Sequence, residues 1–402
     1  MSKAPRTARR PKGGSSAAAR PHTTRVRRRQ TSMAINVTSI VLSVMVIALI
    51  GFVWQKGGII DDYDGTTTGE VAIVEVANGA VLSDLANELA EKNVVKSSSA
   101  FLRAANRNPR SSELQPGFYR LNERMSAEDA VAALLDVDNQ AGTVDIPTGA
   151  RLADTQVVAA ADVRKGIFTL VSEASCLEDN QCVDKAELEQ AAATADLNAL
   201  GVPGWAAAEV RARGNDPRRL EGLITPGIHR VDPQLGAEEI LAALITESVR
   251  NYEETGLLES AERVGLSPYE LITSASLVQM EAPDGDFDKV ARVILNRLDE
   301  PMMLQFDSTV NYDVEAQEIA TTDADRARKT PWNTYAKEGL PDTPIASPSI
   351  EALRAMENPA EGTWLYFVTV DLDGRTVFTT TFDEHTNAIE EARANGVLDS
   401  NR

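Results

Sequence analysis

One glutamate near the end of an apolar helix has the spacing and setting for acid–base chemistry. Residues 267–298 read SPYELITSASLVQMEAPDGDFDKVARVILNRL. Ser267 suits a helix N-cap, Pro268 the first turn, and Glu270 completes a capping box. Leu271, Ala275 and Val278 recur at helical spacing, with Ile272 and Leu277 beside them. Pro283 stops the helix because it drives the preceding residue out of the α region. Glu281 therefore falls in the last turn, on the apolar side. Two effects favour its protonated form there. The negative end of the helix dipole contributes roughly 0.3–1 kcal/mol, less than one pKa unit. Burial can raise a carboxyl by as much as about 3–5 pKa units. A Glu281 lining an apolar cleft would hold a proton near neutral pH and act as a general acid. On a frayed, solvated helix end it would be an ordinary carboxylate, and spacing alone leaves both open.

Polar residues gather downstream. Gln305, Asp307 and Thr309 lie in one stretch and Asn333 and Tyr335 in another, followed by a Gly339-Leu340-Pro341 turn. Residues 364–370 have strand character, turn at Asp373-Gly374 and return over 376–380. Glu384 and His385 open a last helix that carries Ile389 and Ala392. Loops rich in Asn, Gln, Thr and Tyr suit a sugar, with its hydroxyls and apolar ring faces. They suit a set of capped turns equally well.

The elements that must position these residues follow from the rest of the chain. Residues 1–32 form a basic arm with almost no large apolar residues, expected to be disordered. Its charge opposes that of the bulk, since the whole chain is at −20. Such an arm could bind nucleic acid, but the run behind it points elsewhere. Residues 33–54, MAINVTSIVLSVMVIALIGFVW, carry no charge and are just long enough to span a bilayer. The run ends in Phe52, Val53 and Trp54 rather than a small-residue cleavage site, which favours an uncleaved anchor. The arginines place the arm in the cytoplasm and everything after Trp54 outside. Residues 55–69 read as a flexible linker.

An internal repeat follows. Residues 114–135, LQPGFYRLNERMSAEDAVAALL, align without a gap with residues 224–245, ITPGIHRVDPQLGAEEILAALI. Each is a Pro-Gly turn, a short strand and an amphipathic helix. Two related α/β modules are expected, at 70–140 and 141–250, ahead of a third region at 251–402. The second copy holds the only cysteines, Cys176 and Cys182. Their spacing fits either a disulfide-closed loop or two thiols, and makes a poor zinc site. No metal constellation, phosphate loop or nucleophile triad appears, so no metal and no cofactor is expected.

At this point the chain resembles the YceG-like endolytic murein transglycosylases. The residues that carry the resemblance are 275–281 (ASLVQME), Asn296-Arg297-Leu298, Leu304-Gln305 with Asp307, Thr309, Val310 and Tyr312, Asn333-Thr334-Tyr335, Gly339-Leu340-Pro341, 365–368 and His385. The resemblance implies an α+β fold with a single N-terminal transmembrane helix, a LysM-like module at 70–140, a second related subdomain and a mixed α/β catalytic domain. It implies Glu281 as the essential acid, since an earlier glutamate of the family motif is Gln279 here. Gln305, Asp307, Thr309, Asn333, Tyr335 and His385 are the expected substrate-positioning residues. The implied reaction cleaves the MurNAc-β-1,4-GlcNAc bond and leaves a 1,6-anhydro-MurNAc end. The implied partners are peptidoglycan glycan strands, the plasma membrane and cell-wall synthases, with no nucleic acid. A murein hydrolase pairing Glu281 with Asp307 or Asp284, and a non-catalytic wall-binding scaffold, are the alternative readings.

Overall fold

The computed structural model describes residues 42–48, 61–65, 69–157, 162–177, 182–314, 316–317 and 321–397. Residues Met1–Ile60 and Asp61–Arg402 form separate compact units. In the first, residues 42–48 are helical (α1). The rest of the expected anchor at 33–54, and the basic arm at 1–32, lie outside the described residues. Among the described residues no helix is long and apolar enough to cross a membrane.

The second unit is mixed α/β. It begins with β1 (Val71–Val76), α2 (Leu82–Glu91), α3 (Ser98–Arg107), β2 (Gly117–Asn122) and α4 (Ala127–Leu134). β1 and β2 pair antiparallel, Val71 opposite Asn122 and Val76 opposite Gly117. Alternate β2 residues, Tyr119 and Leu121, turn inward. Phe101, Ala104 and Ala105 of α3, a helix capped by Ser97, are buried as well. β3 (Gln140–Ala141) adds to the free edge of β2.

The next stretch repeats this plan with insertions. It holds β4 (Thr143–Ile146), β5 (Thr155–Val157), β6 (Asp162–Arg164), α5 (Ile167–Ala174), α6 (Lys185–Thr194), α7 (Ala207–Ala212), β7 (Gly227–Arg230) and α8 (Ala237–Glu253). β4 pairs antiparallel with β7 as β1 does with β2. Both Pro-Gly turns put their glycine at positive φ, +148° at Gly117 and +121° at Gly227. In the insertion a Cys176–Cys182 disulfide closes the loop.

The remainder holds α9 (Leu257–Val264), α10 (Pro268–Glu281), α11 (Phe287–Asp299), α12 (Asp307–Asn311), β8 (Ala316–Gln317), α13 (Asp323–Arg326), α14 (Ile350–Glu357), the antiparallel hairpin β9 (Tyr366–Thr369) and β10 (Thr376–Thr379), and α15 (Phe382–Ala394). Among the described residues the two larger hydrophobic cores divide near residue 250, and a small third one joins Val370 to Ala388 and Ala392 of α15. Of the larger two, one spans Val144 to Ile245 and also takes in Tyr269, and the other gathers α10, α11 and α14 around Leu277, Ile294 and Leu353.

α10 differs from its expected one-sided stripe. Tyr269 and every residue from Leu271 to Val278 are buried, including Thr273, Ser274 and Ser276. Two of these hydroxyls bond back to their own helix, while the Ser274 hydroxyl is buried without a partner. Thr273 donates to the Tyr269 carbonyl at 2.8 Å and Ser276 to the Thr273 carbonyl at 2.7 Å. The expected capping box of Ser267 and Glu270 is present.

Gly142 joins the two repeats at φ +66°. Its N–H donates to Ala174 and its carbonyl accepts from Val231. A Cβ there would lie 1.9 Å from the Val231 carbonyl oxygen. Gly142→Ala is expected to cost at least about 2 kcal/mol, from left-handed strain and the backbone clash together. Thermal unfolding of the variant beside Gly79→Ala, where a Cβ meets nothing within 4 Å, checks this; equal midpoints would refute it.

Candidate active site

Glu281 is the last residue of α10, as the Pro283 stop requires. The buried body of the helix carries it to the edge of the core, where it is half-buried. Exposure understates how little water reaches the carboxyl. Burial is the largest influence on it and pushes its pKa up to about 7. Ser308, through its hydroxyl and its N–H, and the Arg297 charge pull it down, and the Asp307 charge pushes it up. The Ser308 N–H donates to Oε1 at 3.2 Å, and the Ser308 hydroxyl is the other neutral donor beside the carboxyl. Among the described residues no charged group is hydrogen-bonded to it.

Asp307 stands at the start of α12, beside Ser308, with both oxygens engaged. Arg326 holds it at two points, Nε to Oδ1 at 3.2 Å and Nη2 to Oδ2 at 3.1 Å. The Thr321 hydroxyl donates to Oδ1 at 2.7 Å, and the Tyr335 hydroxyl also bonds to Asp307. Arg326 lies 5.0 Å over the Tyr335 ring. Burial, followed by the Asp307 charge, pushes the Tyr335 phenol well above its usual range. Tyr335 stays protonated and lies within electrostatic reach of Glu281.

Arg297 unites the remaining parts. It is 7% exposed, and it donates to the carbonyls of Leu365 and Leu304. Its guanidinium lies 5.3 Å over the Tyr366 ring, which stacks on His385 at 5.0 Å. Burial and then the Arg297 charge lower the His385 pKa, so the ring is neutral at neutral pH. Its Nδ1 is buried without a partner. Glu281, Tyr335 and His385 thus surround one fixed cation.

The other expected residues are placed differently. Gln305 is exposed and sits in the left-handed region at φ +54°, an uncommon conformation for a residue with a side chain. Its N–H is pinned by the Thr334 carbonyl at 3.1 Å. Thr309 is fully buried, donating to the Phe306 carbonyl and bonding the Thr334 hydroxyl. Asn333 is buried too. Its amide donates to the carbonyls of Asp325, Arg326 and Arg328, and its oxygen accepts the Tyr335 N–H. The polar atoms of Thr309 and Asn333 are therefore spent inside the protein. They hold the α12 and 333–335 turns together and leave no group for a sugar.

Ser308, Arg326 and Tyr366 belong to the site without having been expected. Arg297 carried a signal: it continues the spacing of Val290 and Ile294, so a charge falls on the buried stripe of α11. Arg326 and Thr321 sit where no local pattern marks them.

A raised carboxyl is not by itself diagnostic. Burial also lifts Glu221 to about 7. That side chain is 1% exposed and already accepts from the Leu152 N–H and the Tyr312 hydroxyl. It lines a cavity of about 510 Å³ with Arg151, Arg218 and Tyr312. A second cavity of about 660 Å³ lies at the first turn of α10. Glu281 lines neither. Partial exposure, not enclosure, sets Glu281 apart. Among the described residues no group of His, Cys, Asp and Glu could hold a metal ion.

The family described as YceG-like matches residues 74–391. The chain is 30% identical over 322 residues to a protein of Bacillus subtilis (strain 168) named endolytic murein transglycosylase, spanning 79% of this chain and 84% of that one. A protein of the same name from Streptococcus pneumoniae serotype 2 (strain D39) is 25% identical over 333 residues, 79% of this chain and 58% of that one. A 2.6 Å crystal structure of a yceG-like protein from Listeria monocytogenes has 24% identity and a TM-score of 0.46, covering 80% of this chain and 99% of that one.

A carboxyl that must be protonated to act as an acid loses activity as pH rises through its pKa. The basic limb of the kcat profile on murein is expected near pH 7, where Glu281 titrates. Asp307→Asn removes the like charge that raises Glu281, so this limb should move to lower pH. An unmoved limb in the variant would remove Glu281 as the titrating group.

Proposed function

The chain belongs to the YceG-like family, and from that premise we propose that it is a membrane-anchored endolytic peptidoglycan lytic transglycosylase. It cleaves MurNAc-β-1,4-GlcNAc bonds in nascent glycan strands and leaves 1,6-anhydro-MurNAc ends. The observation that carries the reading is Glu281, a partly exposed carboxyl that burial raises to a pKa of about 7 and whose only hydrogen-bond donors are those of Ser308. Its proton passes to the glycosidic oxygen as the C1–O bond breaks. The resulting carboxylate then takes the proton of the sugar's own 6-hydroxyl, whose oxygen closes on C1. Glu281 ends protonated again and no water is consumed. An internal nucleophile needs no second carboxylate to activate it, because proximity supplies what a bound water would lack.

The engagement of Asp307 supports one carboxylate rather than two. Both its oxygens are bound by Arg326, Thr321 and Tyr335, which leaves it to position Tyr335 and raise Glu281. Asp284 is exposed in the turn after α10. Gln305, Tyr335 and His385 are the groups that contact the saccharide, with Thr309 and Asn333 holding the turns beneath them. Residues 70–140, with their strand–helix–helix–strand order, act as a LysM-like module that grips the glycan. Residues 33–54 anchor the protein in the plasma membrane, arm 1–32 inside and the catalytic region outside, beside cell-wall synthases.

Glu281→Gln is expected to lower digestion of purified murein by about 10²–10⁴-fold. A variant digesting as fast as the parent would end this assignment. Mass analysis of the parent's products should find anhydro ends and no oxygen from labelled water. Reducing ends carrying that label would show a hydrolase instead.

A further inference from the structure

The cavity of about 660 Å³ lies at the other end of the catalytic helix, enclosed by Glu209 of α7, the α9–α10 corner, the end of α11 and the turn at 339–342. The 14 residues of α10 place its first turn about 20 Å from Glu281. Its walls are mixed, with an apolar side from Val264, Leu266, Leu295, Leu298 and Leu340. Two polar atoms there are buried without a partner, the Tyr269 hydroxyl and Glu209 Oε2. Tyr269 is 2% exposed. Burial, then the Glu209 charge, pushes its phenol well above the usual range, so it remains a neutral hydroxyl.

The other acids of the lining are accounted for. Glu270 caps its own helix through the Ser267 N–H, and Asp342 pairs with Lys337 and Arg213. Asp299 is exposed at the rim. No lysine or arginine lines the cavity; Arg213, four residues after Glu209, pairs with Asp342 and acts on Tyr269 through its charge, and its Nε is also buried without a partner. Buried polar atoms are nearly always bonded, and the Tyr269 hydroxyl and Glu209 Oε2 leave two acceptor oxygens for a guest that donates to both. An ammonium group has three donors and no acceptor. An aliphatic arm behind it would fill the apolar side.

We propose that this cavity is a second binding site, which takes an alkylammonium group on an apolar arm: the side-chain amine of a basic residue in the peptide part of peptidoglycan. The peptide source rests on the proposed function, whereas the ammonium site rests on Tyr269 and Glu209. An extended peptide rises about 3.3 Å per residue, so a short peptide carried by a sugar at Glu281 spans the distance in about six residues. Bound there, it would set the register of the glycan over Glu281.

The test uses the full chain in detergent micelles with ¹³C-labelled Leu and Val methyls. The probes are Nα-acetyl-lysine methylamide and the uncharged Nα-acetyl-norleucine methylamide. Saturable shifts at Leu266, Leu298 and Leu340 are expected with the lysine probe, and at least about tenfold weaker binding with norleucine. Glu209→Gln and Tyr269→Phe should each weaken the lysine probe about tenfold. No saturable shift, equal binding of the two probes, or binding that both variants leave intact would overturn the site and leave an ordered water as the cavity's content. The probes carry no sugar, so a failure of the catalytic reading, seen with Glu281→Gln, leaves this titration unaffected. For the source, murein with its free amines acetylated should show a several-fold higher KM at unchanged kcat, a difference that Glu209→Gln abolishes. An unchanged KM beside a positive titration would overturn the murein peptide as the source.

Discussion

Enclosure of α10 on nearly every side is the constraint from which the site follows. A surface helix can rotate or slide by a fraction of a turn, but one whose residues from Leu271 to Val278 are all buried cannot. Neighbouring segments read its position through hydrogen bonds. Ser276 accepts the Ile345 N–H at 3.1 Å, and Gln279 accepts the Ser349 N–H that opens α14. Gly149 brings a loop of the second repeat against Met280, and that loop exchanges two backbone bonds with Ser347, the Gly149 N–H donating to its carbonyl and the Ala150 carbonyl accepting its N–H. The last turn therefore projects Glu281 at a fixed place, where protein displaces most of the water around the carboxyl.

Neutralising a carboxyl by burial requires that nearby charges not undo it. Arg297 lies close enough to pull the Glu281 pKa down, but its donors are aimed at two carbonyls and its face at Tyr366. Asp307 pushes the other way, and Arg326 matches its charge at two points. Each charge near Glu281 is thus held by a partner other than Glu281. The carboxyl keeps a single backbone donor. A bidentate arginine on Glu281 itself would have made it a permanent carboxylate. Glu221 shows the opposite limit: its pKa is similarly raised, but it is closed to any ligand and ties Leu152 to Tyr312.

Much of this was legible in the residues. The Ser267 cap, the Pro283 stop and the position of Glu281 between them are local, decided within one or two turns. The repeat at 114–135 and 224–245 announced two strand-then-helix units, and the structure pairs β1 with β2 and β4 with β7 in the same sense. The hairpin at Asp373-Gly374 and the existence of the last helix were readable, but that helix opens at Phe382 under a Thr381 cap, with the expected opener Glu384 completing its capping box. The Cys176–Cys182 pairing was one of two open readings, because spacing cannot say whether a loop folds back on itself.

What residue types could not tell is which polar groups face outward. Thr309 and Asn333 have the composition of a sugar site yet are consumed within the protein, while Ser308, unmarked by any pattern, supplies the donor to Glu281 across 27 residues. Arg326 reaches Asp307 across 19 residues, and Arg297 reaches Leu365 across 68. Capping, periodicity and proline stops act over three or four residues, so they survive in the one-dimensional pattern. The sequence by itself determined the helix, its end and the carboxyl placed there. Whether that carboxyl would be dry enough to keep a proton was decided only when distant loops closed around it, because desolvation depends on the sum of atoms nearby and not on the neighbours in the chain.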